Sequence, residues 1–212
     1  MNWKLPNQLT VARIALAGVF FVLLGLYEPG ASGGPWLLYI SFAIFLIAGI
    51  TDVLDGYLAR KMNVVSAFGR IADPFVDKVL VVGAFAMLAG SNFSIPAGYN
   101  DASLPRWFNG GMLSGVQAWM VVVIMAREFI VSAVRGYSES QGVKFPATPA
   151  GKIKMFIQSA AICAILVQLA AFPHERWAAI VKVALVWSAV LATVLSTLGY
   201  IKQTRKLLSS DE

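Results

Sequence analysis

Four aspartates fall within 26 residues of an otherwise apolar chain: Asp52 and Asp55, three apart, then Asp73 and Asp77, four apart. On helices, each spacing puts both carboxylates on one face. Gly56 and Ala59 extend the first stripe, and Ser66 and Gly69 begin the second. The short link at 61–66 makes the two helices antiparallel neighbours, so the stripes can face each other and four carboxylates can converge. Like charges at close range repel, and a low dielectric makes that worse. Protons or divalent cations relieve the repulsion. Hard cations such as Mg²⁺ take oxygen ligands, usually a few carboxylates plus substrate phosphates. Two such ions about 4 Å apart would suit four carboxylates and a phosphoryl-transfer reaction. Gly56 and Gly69 leave room for a ligand to approach the backbone. Arg60, one turn on, adds a cation that can clamp a phosphate or carboxylate.

For any single aspartate the plainer reading is an interfacial carboxylate paired with Arg60, Lys61, Arg70 or Lys78. For the set, function is the better reading, because ionisable residues at membrane depth are costly and rarely idle. Pro74 follows Asp73 and leaves the Arg70 carbonyl without its helical partner, which kinks either the site or only the helix.

The elements that must position these acids are greasy. The chain has 212 residues, 58% hydrophobic and 13% charged, with mean hydropathy +0.71. A soluble domain is roughly half apolar and a quarter charged. So few charges cannot coat a water-facing surface, and the chain reads as a polytopic membrane protein. A span needs about 20 mostly apolar residues. Six stretches qualify, at 8–27, 36–60, 67–90, 114–138, 150–171 and 177–203. The segment 91–113 is rich in Gly, Pro and Asn and reads as a loop. No repeat or low-complexity tract interrupts the pattern. The expectation is an all-α protein: one domain over 1–212, six transmembrane helices in a single bundle, and a short N-terminal interfacial segment. Arg13 interrupts the first apolar run and no small-x-small cleavage site follows it, so this run reads as a retained span.

The net charge is +6. With no basic run interleaved with aromatics, nucleic acid is not the expected partner. With both termini on the cytoplasmic side, Lys4, Arg60, Lys61, Arg70, Arg135, Lys144, Lys152, Lys154, Lys202, Arg205 and Lys206 share that side. Arg106, Arg176 and Lys182 fall opposite. This follows the positive-inside rule and puts the aspartates at the cytoplasmic face. Trp36, Trp107, Trp177 and Tyr27 read as an outer aromatic belt. The lone Cys163 excludes an internal disulfide and reads as a small buried hydrophobe. His174 lies in an outer turn, away from the acids, and reads as a surface residue.

The acidic stretch resembles the signature of the CDP-alcohol phosphatidyltransferase family. It reads Asp52-x2-Asp55-Gly56-x2-Ala59-Arg60-x8-Gly69-x3-Asp73-x3-Asp77, with no departure from the family pattern. The resemblance implies a reaction in which a CDP-linked lipid gives its phosphatidyl group to an alcohol and CMP leaves. It implies that Asp52, Asp55 and Asp73 bind two ions, Mg²⁺ or Mn²⁺. Asp77 would complete the second metal site and act as general base. Gly56, Ala59 and Gly69 would pack on the cytidine nucleotide, with Arg60 on its phosphates and Asp55 and Asp73 beside it. Homodimerisation is implied by the resemblance alone.

Two further stretches are similar to the phosphatidylglycerophosphate synthase branch of that family. The first carries Pro6, Asn7, Leu9, Thr10 and Arg13. The second carries Arg127, Glu128, Phe129, Val131, Ser132 and Arg135, then Gly151, Lys152, Lys154 and Gln158. Ala133 and Met155 stand where the branch often has Gly and Thr. The implied acceptor is sn-glycerol 3-phosphate, and the donor is CDP-diacylglycerol with its acyl chains in the bilayer of a cytoplasmic membrane. A basic cluster of Arg127, Arg135, Lys152 and Lys154 suits the acceptor's phosphate. Arg127 beside Glu128 is either functional or a buried structural pair. Asn7, Thr10 and Arg13 share one face. They line the nucleotide site or anchor the first helix, and Thr10 could equally be a cap. Two alternatives remain. One is the same chemistry with inositol phosphate, serine or phosphatidylglycerol as acceptor. The other is a divalent-cation or proton transporter, which would distribute its acids along a transmembrane path.

Overall fold

In lipid, each backbone N–H and C=O must find its partner within the segment, so helix is the favoured state for long apolar runs. The computed structural model describes residues 5–62, 67–96, 106–140 and 149–208, with side chains at 8, 10–52, 78–96, 108–138, 140, 149–197 and 200. Helix α1 is Leu5–Gly25, α2 is Gly34–Met62 and α3 is Ala67–Leu88. A 3₁₀ turn, Ser91–Phe93, and a short α4, Arg106–Asn109, follow. Then come α5 (Ala118–Ser140), α6 (Pro149–Ala171) and α7 (Arg176–Leu208). The fold is all-helical: among the described residues there is no strand, only an isolated antiparallel bridge between Ser94 and Met112.

The helices match the apolar runs, with informative differences. α1 already includes Leu5–Asn7, so the interfacial segment expected ahead of the first span merges into the helix. α5 starts at Ala118, four residues later than the apolar run implied. Gly115 has φ +75°, a left-handed conformation that Gly adopts without strain. Ser114 Oγ donates to the Leu88 carbonyl at 2.6 Å and accepts from the Val116 N–H at 3.1 Å. Residues 114–116 therefore make a buried turn against the end of α3. The segment read as a loop is partly ordered: the Leu113 N–H donates to the Phe93 carbonyl at 2.7 Å, and Phe93 stacks on Tyr27 with ring centroids 4.9 Å apart.

Among the described residues, three helical stretches are long and apolar enough to cross a membrane: Gly34–Asp52, Pro149–Ala171 and Arg176–Thr197. Shorter apolar stretches run Thr10–Gly25 in α1 and Lys78–Leu88 in α3. α5 is interrupted by Arg127, Glu128 and Arg135. α1 packs against α2 and α3, α6 against α7 and α2, and α5 against α7 and α3. Their shared interior holds Phe20, Leu24, Phe45, Phe85, Met120, Ile124, Ile162, Ile165 and Val186. The opposite surfaces are also apolar. Val22 is 60% exposed, Phe156 75% and Leu191 59%. Water would not tolerate such a surface over whole helices, and lipid would; this is a membrane protein.

The contact of α1 with α3 depends on Gly83. A Cβ there would lie 2.4 Å from the Phe21 ring. Gly83→Leu is therefore expected to destabilise the protein by roughly 1–3 kcal/mol, the usual cost of overpacking. Thermal unfolding in detergent checks this, and a midpoint unchanged from the native protein would refute it.

Candidate active site

Because successive long helices run in opposite directions, six sequence-distant segments gather at one end of the molecule. They are the start of α1, the end of α2, the starts of α3 and α6, and the ends of α5 and α7. Side-chain contacts agree with this: Tyr27, just after α1, stacks on Phe93, just after α3, so the starts of those two helices share the other end, and Arg13 of α1 pairs with Asp52 of α2. Lys78 of α3 donates to Ser132 Oγ of α5. Lys154 of α6 pairs with Glu128 of α5, and Arg127 Nε donates to Ser196 Oγ of α7 at 3.2 Å.

The acidic half lies on α2 and α3. Asp52 is partly exposed, and one of its oxygens receives Arg13, which is 3% exposed. Thr10 is buried one turn before Arg13. It sits inside α1 rather than at its start, so it is not a helix cap. Asp55, Gly56, Ala59 and Arg60 lie along α2, Gly69, Asp73 and Asp77 along α3, and Asn7 in α1. Their side chains fall outside the described residues, as does the facing of the two acidic stripes. Among the described residues no group of three or more His, Cys, Asp or Glu gathers. Asp52, with a second carboxylate oxygen beyond its Arg13 contact, offers the hard-oxygen donor that Mg²⁺ or Mn²⁺ takes. The donor types on these helices therefore fit divalent ions of that class.

The basic half is built on α5, α6 and α7. Arg127 is 7% exposed, Glu128 8% and Lys154 5%. Arg127 Nη1 donates to Glu128 Oε1 at 3.2 Å, and Lys154 Nζ donates to the same oxygen. The Arg127 guanidinium lies 5.2 Å from the Tyr200 ring centre, within cation–π range. Beneath the cluster, Gln158 Nε2 donates to Thr193 Oγ1 at 3.0 Å. Two cations share one carboxylate, so the trio carries one positive charge in excess. Among the described residues, the buried Arg127 Nη2 and the buried Arg135 Nε have no hydrogen-bond partner. Buried guanidinium N–H groups without a partner are costly, and they mark where an anion would be stabilised.

Of the four basic residues expected to bind phosphate, the structure brings Arg127 and Lys154 together. Arg135 lies two turns further along α5, half-buried. Lys152 is exposed and apart from the trio. Two residues along a helix is about 200°, so Lys152 and Lys154 occupy opposite faces. Lys152→Ala is expected to leave the KM for a phosphorylated acceptor within about twofold, as is usual for an exposed charge; steady-state kinetics on that variant checks it.

Sequence reasoning named Arg13 and Glu128 but not their partners, and missed Ser196 and Tyr200. Arg13 pairs with the first aspartate, which only tertiary contact reveals. Glu128 joins Lys154 across 26 positions. Ser196 and Tyr200 of α7 complete the setting of Arg127, and their one-turn spacing with Thr193 was the available signal in an otherwise apolar helix.

The chain is 32% identical over 219 aligned positions to the CDP-diacylglycerol–glycerol-3-phosphate 3-phosphatidyltransferase of Bacillus subtilis, with 98% of each chain covered. It is 31% identical over 203 positions to the enzyme of the same name from Rickettsia bellii, with 96% of each covered. It is 30% identical to that from Rickettsia felis, with the same shares. The profile of one family spans residues 3–195, and by that match and these relatives the chain belongs to the CDP-alcohol phosphatidyltransferase family.

Proposed function

We infer that this protein is a CDP-diacylglycerol–glycerol-3-phosphate 3-phosphatidyltransferase. It transfers the phosphatidyl group of CDP-diacylglycerol to sn-glycerol 3-phosphate, releasing CMP and forming phosphatidylglycerophosphate. Family membership sets the transporter reading aside. Among phosphate-bearing acceptors the relatives' names favour glycerol 3-phosphate; the observation that carries a phosphate-bearing acceptor is the buried Arg127–Glu128–Lys154 trio, with two cations on one carboxylate and an Arg127 Nη2 that has no partner among the described residues. An acceptor bearing a phosphate suits such a site. Serine, whose own charges balance, does not.

Enzymes of this family use divalent metal ions. Here Asp52, Asp55, Asp73 and Asp77 would hold two, Mg²⁺ or Mn²⁺, which would neutralise the donor's diphosphate. Gly56, Ala59 and Gly69, with Asn7 and Thr10, would flank the cytidine, and Arg60 would hold its phosphates. Arg127 and Lys154 would hold the acceptor's phosphate, with Arg135 nearby on α5. Asp77 would take the proton from the acceptor's attacking hydroxyl as the new phosphate ester forms and the bond to CMP breaks. Lys78 follows Asp77 in α3 and reaches Ser132, one turn beyond Glu128 on α5. That contact supports an acceptor whose phosphate lies on α5 while its hydroxyl meets α3.

We read the chain as one domain with six membrane-crossing helices, α1, α2, α3, α5, α6 and α7, and with the site at the cytoplasmic face. The concentration of Lys and Arg at that end supports this orientation. A homodimer is part of the same reading.

Purified protein supplied with CDP-diacylglycerol and Mg²⁺ tests the reaction. CMP release is expected with glycerol 3-phosphate and not with serine, inositol phosphate or phosphatidylglycerol, and EDTA is expected to stop it. Release with inositol phosphate but not glycerol 3-phosphate would reject the proposed acceptor.

A further inference from the structure

Glu128 has no part in the reaction as drawn so far, yet it sits at the centre of the basic half. It is 8% exposed. Its Oε1 takes Arg127 Nη1 at 3.2 Å and also Lys154 Nζ. Its backbone carbonyl accepts from Ser132 Oγ, and Ser132 Oγ accepts from Lys78 of α3. Arg127 is held from its other side by Ser196 Oγ on Nε and by the Tyr200 ring. With Nε and Nη1 both engaged, the guanidinium plane is fixed, and the buried Nη2 has no partner among the described residues.

A brace that served only stability would be expected to satisfy its donors. Replacing a buried ion pair by apolar side chains is often neutral for stability, so stability alone is a weak reason for three buried charges. We propose that Glu128 is a positioning residue for acceptor recognition. By drawing Arg127 and Lys154 onto one carboxylate oxygen, it sets the separation and direction of the two cations that meet the acceptor's phosphate. It also cancels one of their two charges, so that the phosphate is bound without being trapped. This rests on the assignment of glycerol 3-phosphate as acceptor.

The test compares native protein with Glu128→Gln and Glu128→Asp in steady-state assays of CMP release, varying each substrate in turn, alongside thermal unfolding in detergent. Native protein that releases no CMP with glycerol 3-phosphate would overturn the acceptor assignment itself, separately from the role of Glu128. With that activity established, Glu128→Gln keeps the shape and loses the charge that aligns the cations. It is expected to raise the KM for glycerol 3-phosphate about tenfold or more, while the KM for CDP-diacylglycerol stays within about twofold. Glu128→Asp keeps the charge and is expected to recover part of that loss. Should Glu128→Gln fail to fold, Glu128→Asp alone decides. A raised glycerol 3-phosphate KM with a native CDP-diacylglycerol KM supports the role, and two native KM values overturn it. A Glu128→Gln variant that shifts both KM values alike, or only lowers the unfolding temperature, makes Glu128 a structural brace and overturns the proposal.

Discussion

Asp77→Asn is expected to lower the turnover of CDP-diacylglycerol with glycerol 3-phosphate by about 10³-fold or more while leaving the protein folded. A positioned general base contributes roughly 10²–10⁴-fold, and an amide cannot accept the proton that the attacking hydroxyl must lose. Asp77 is also proposed as a metal ligand, which adds to the loss. The amide oxygen keeps one neutral donor in place, so α3 should retain its packing through Leu80, Ala84 and Phe85. CMP release in single-turnover assays measures the first effect. Circular dichroism and thermal unfolding measure the second. A variant that turns over at the native rate would remove Asp77 as the base.

Arg127→Ala is the second large effect. It removes the buried guanidinium whose Nη2 has no partner among the described residues and whose other nitrogens meet Glu128 and Ser196. Charge-assisted hydrogen bonds are worth roughly 1.5–3 kcal/mol each, so the KM for glycerol 3-phosphate is expected to rise about 10–100-fold. The KM for CDP-diacylglycerol should hardly change, because its head group is assigned to α2 and α3. Glu128 would still be paired with Lys154, so no buried carboxylate is stranded and the fold should survive. Arg127→Lys is expected to recover little, since an ammonium lacks the planar fork that meets Ser196, Glu128 and a ligand together. Equal loss in both KM values would place Arg127 outside acceptor binding.

Much of this arrangement was legible in the residues. Six helices follow from the apolar runs; the facing of the two acidic stripes, read from spacings of three and four, lies outside the described residues. Membrane character followed from having too few charges to face water. The remainder depended on contacts that periodicity does not encode. Arg127 and Glu128 are adjacent in a hydrophobic run, and nothing local says that Lys154, rather than Lys152, is their partner; the 200° between those lysines decides it only once the inward face of α6 is known. The start of α5 was misread by four residues because Ser114, Gly115 and Val116 look apolar enough for a span. The turn becomes evident only from the left-handed Gly115 and the Ser114 bond to Leu88. Arg13 reads from the sequence either as an anchor for α1 or as a lining of the nucleotide site, because its charge partner, Asp52, lies 39 positions away on α2. The pairing of α1 with α2 is tertiary information.

In the proposed reaction α2 and α3 hold a pair of divalent ions between their aspartates, and the donor's diphosphate docks on them. The most direct measurement is anomalous diffraction at the manganese edge from crystals grown with Mn²⁺ and CDP. Two peaks are expected, about 4 Å apart as in other two-metal sites, in contact with Asp52, Asp55, Asp73 and Asp77 and with the CDP phosphates. CDP bound elsewhere, or manganese peaks away from these four carboxylates, would contradict the account.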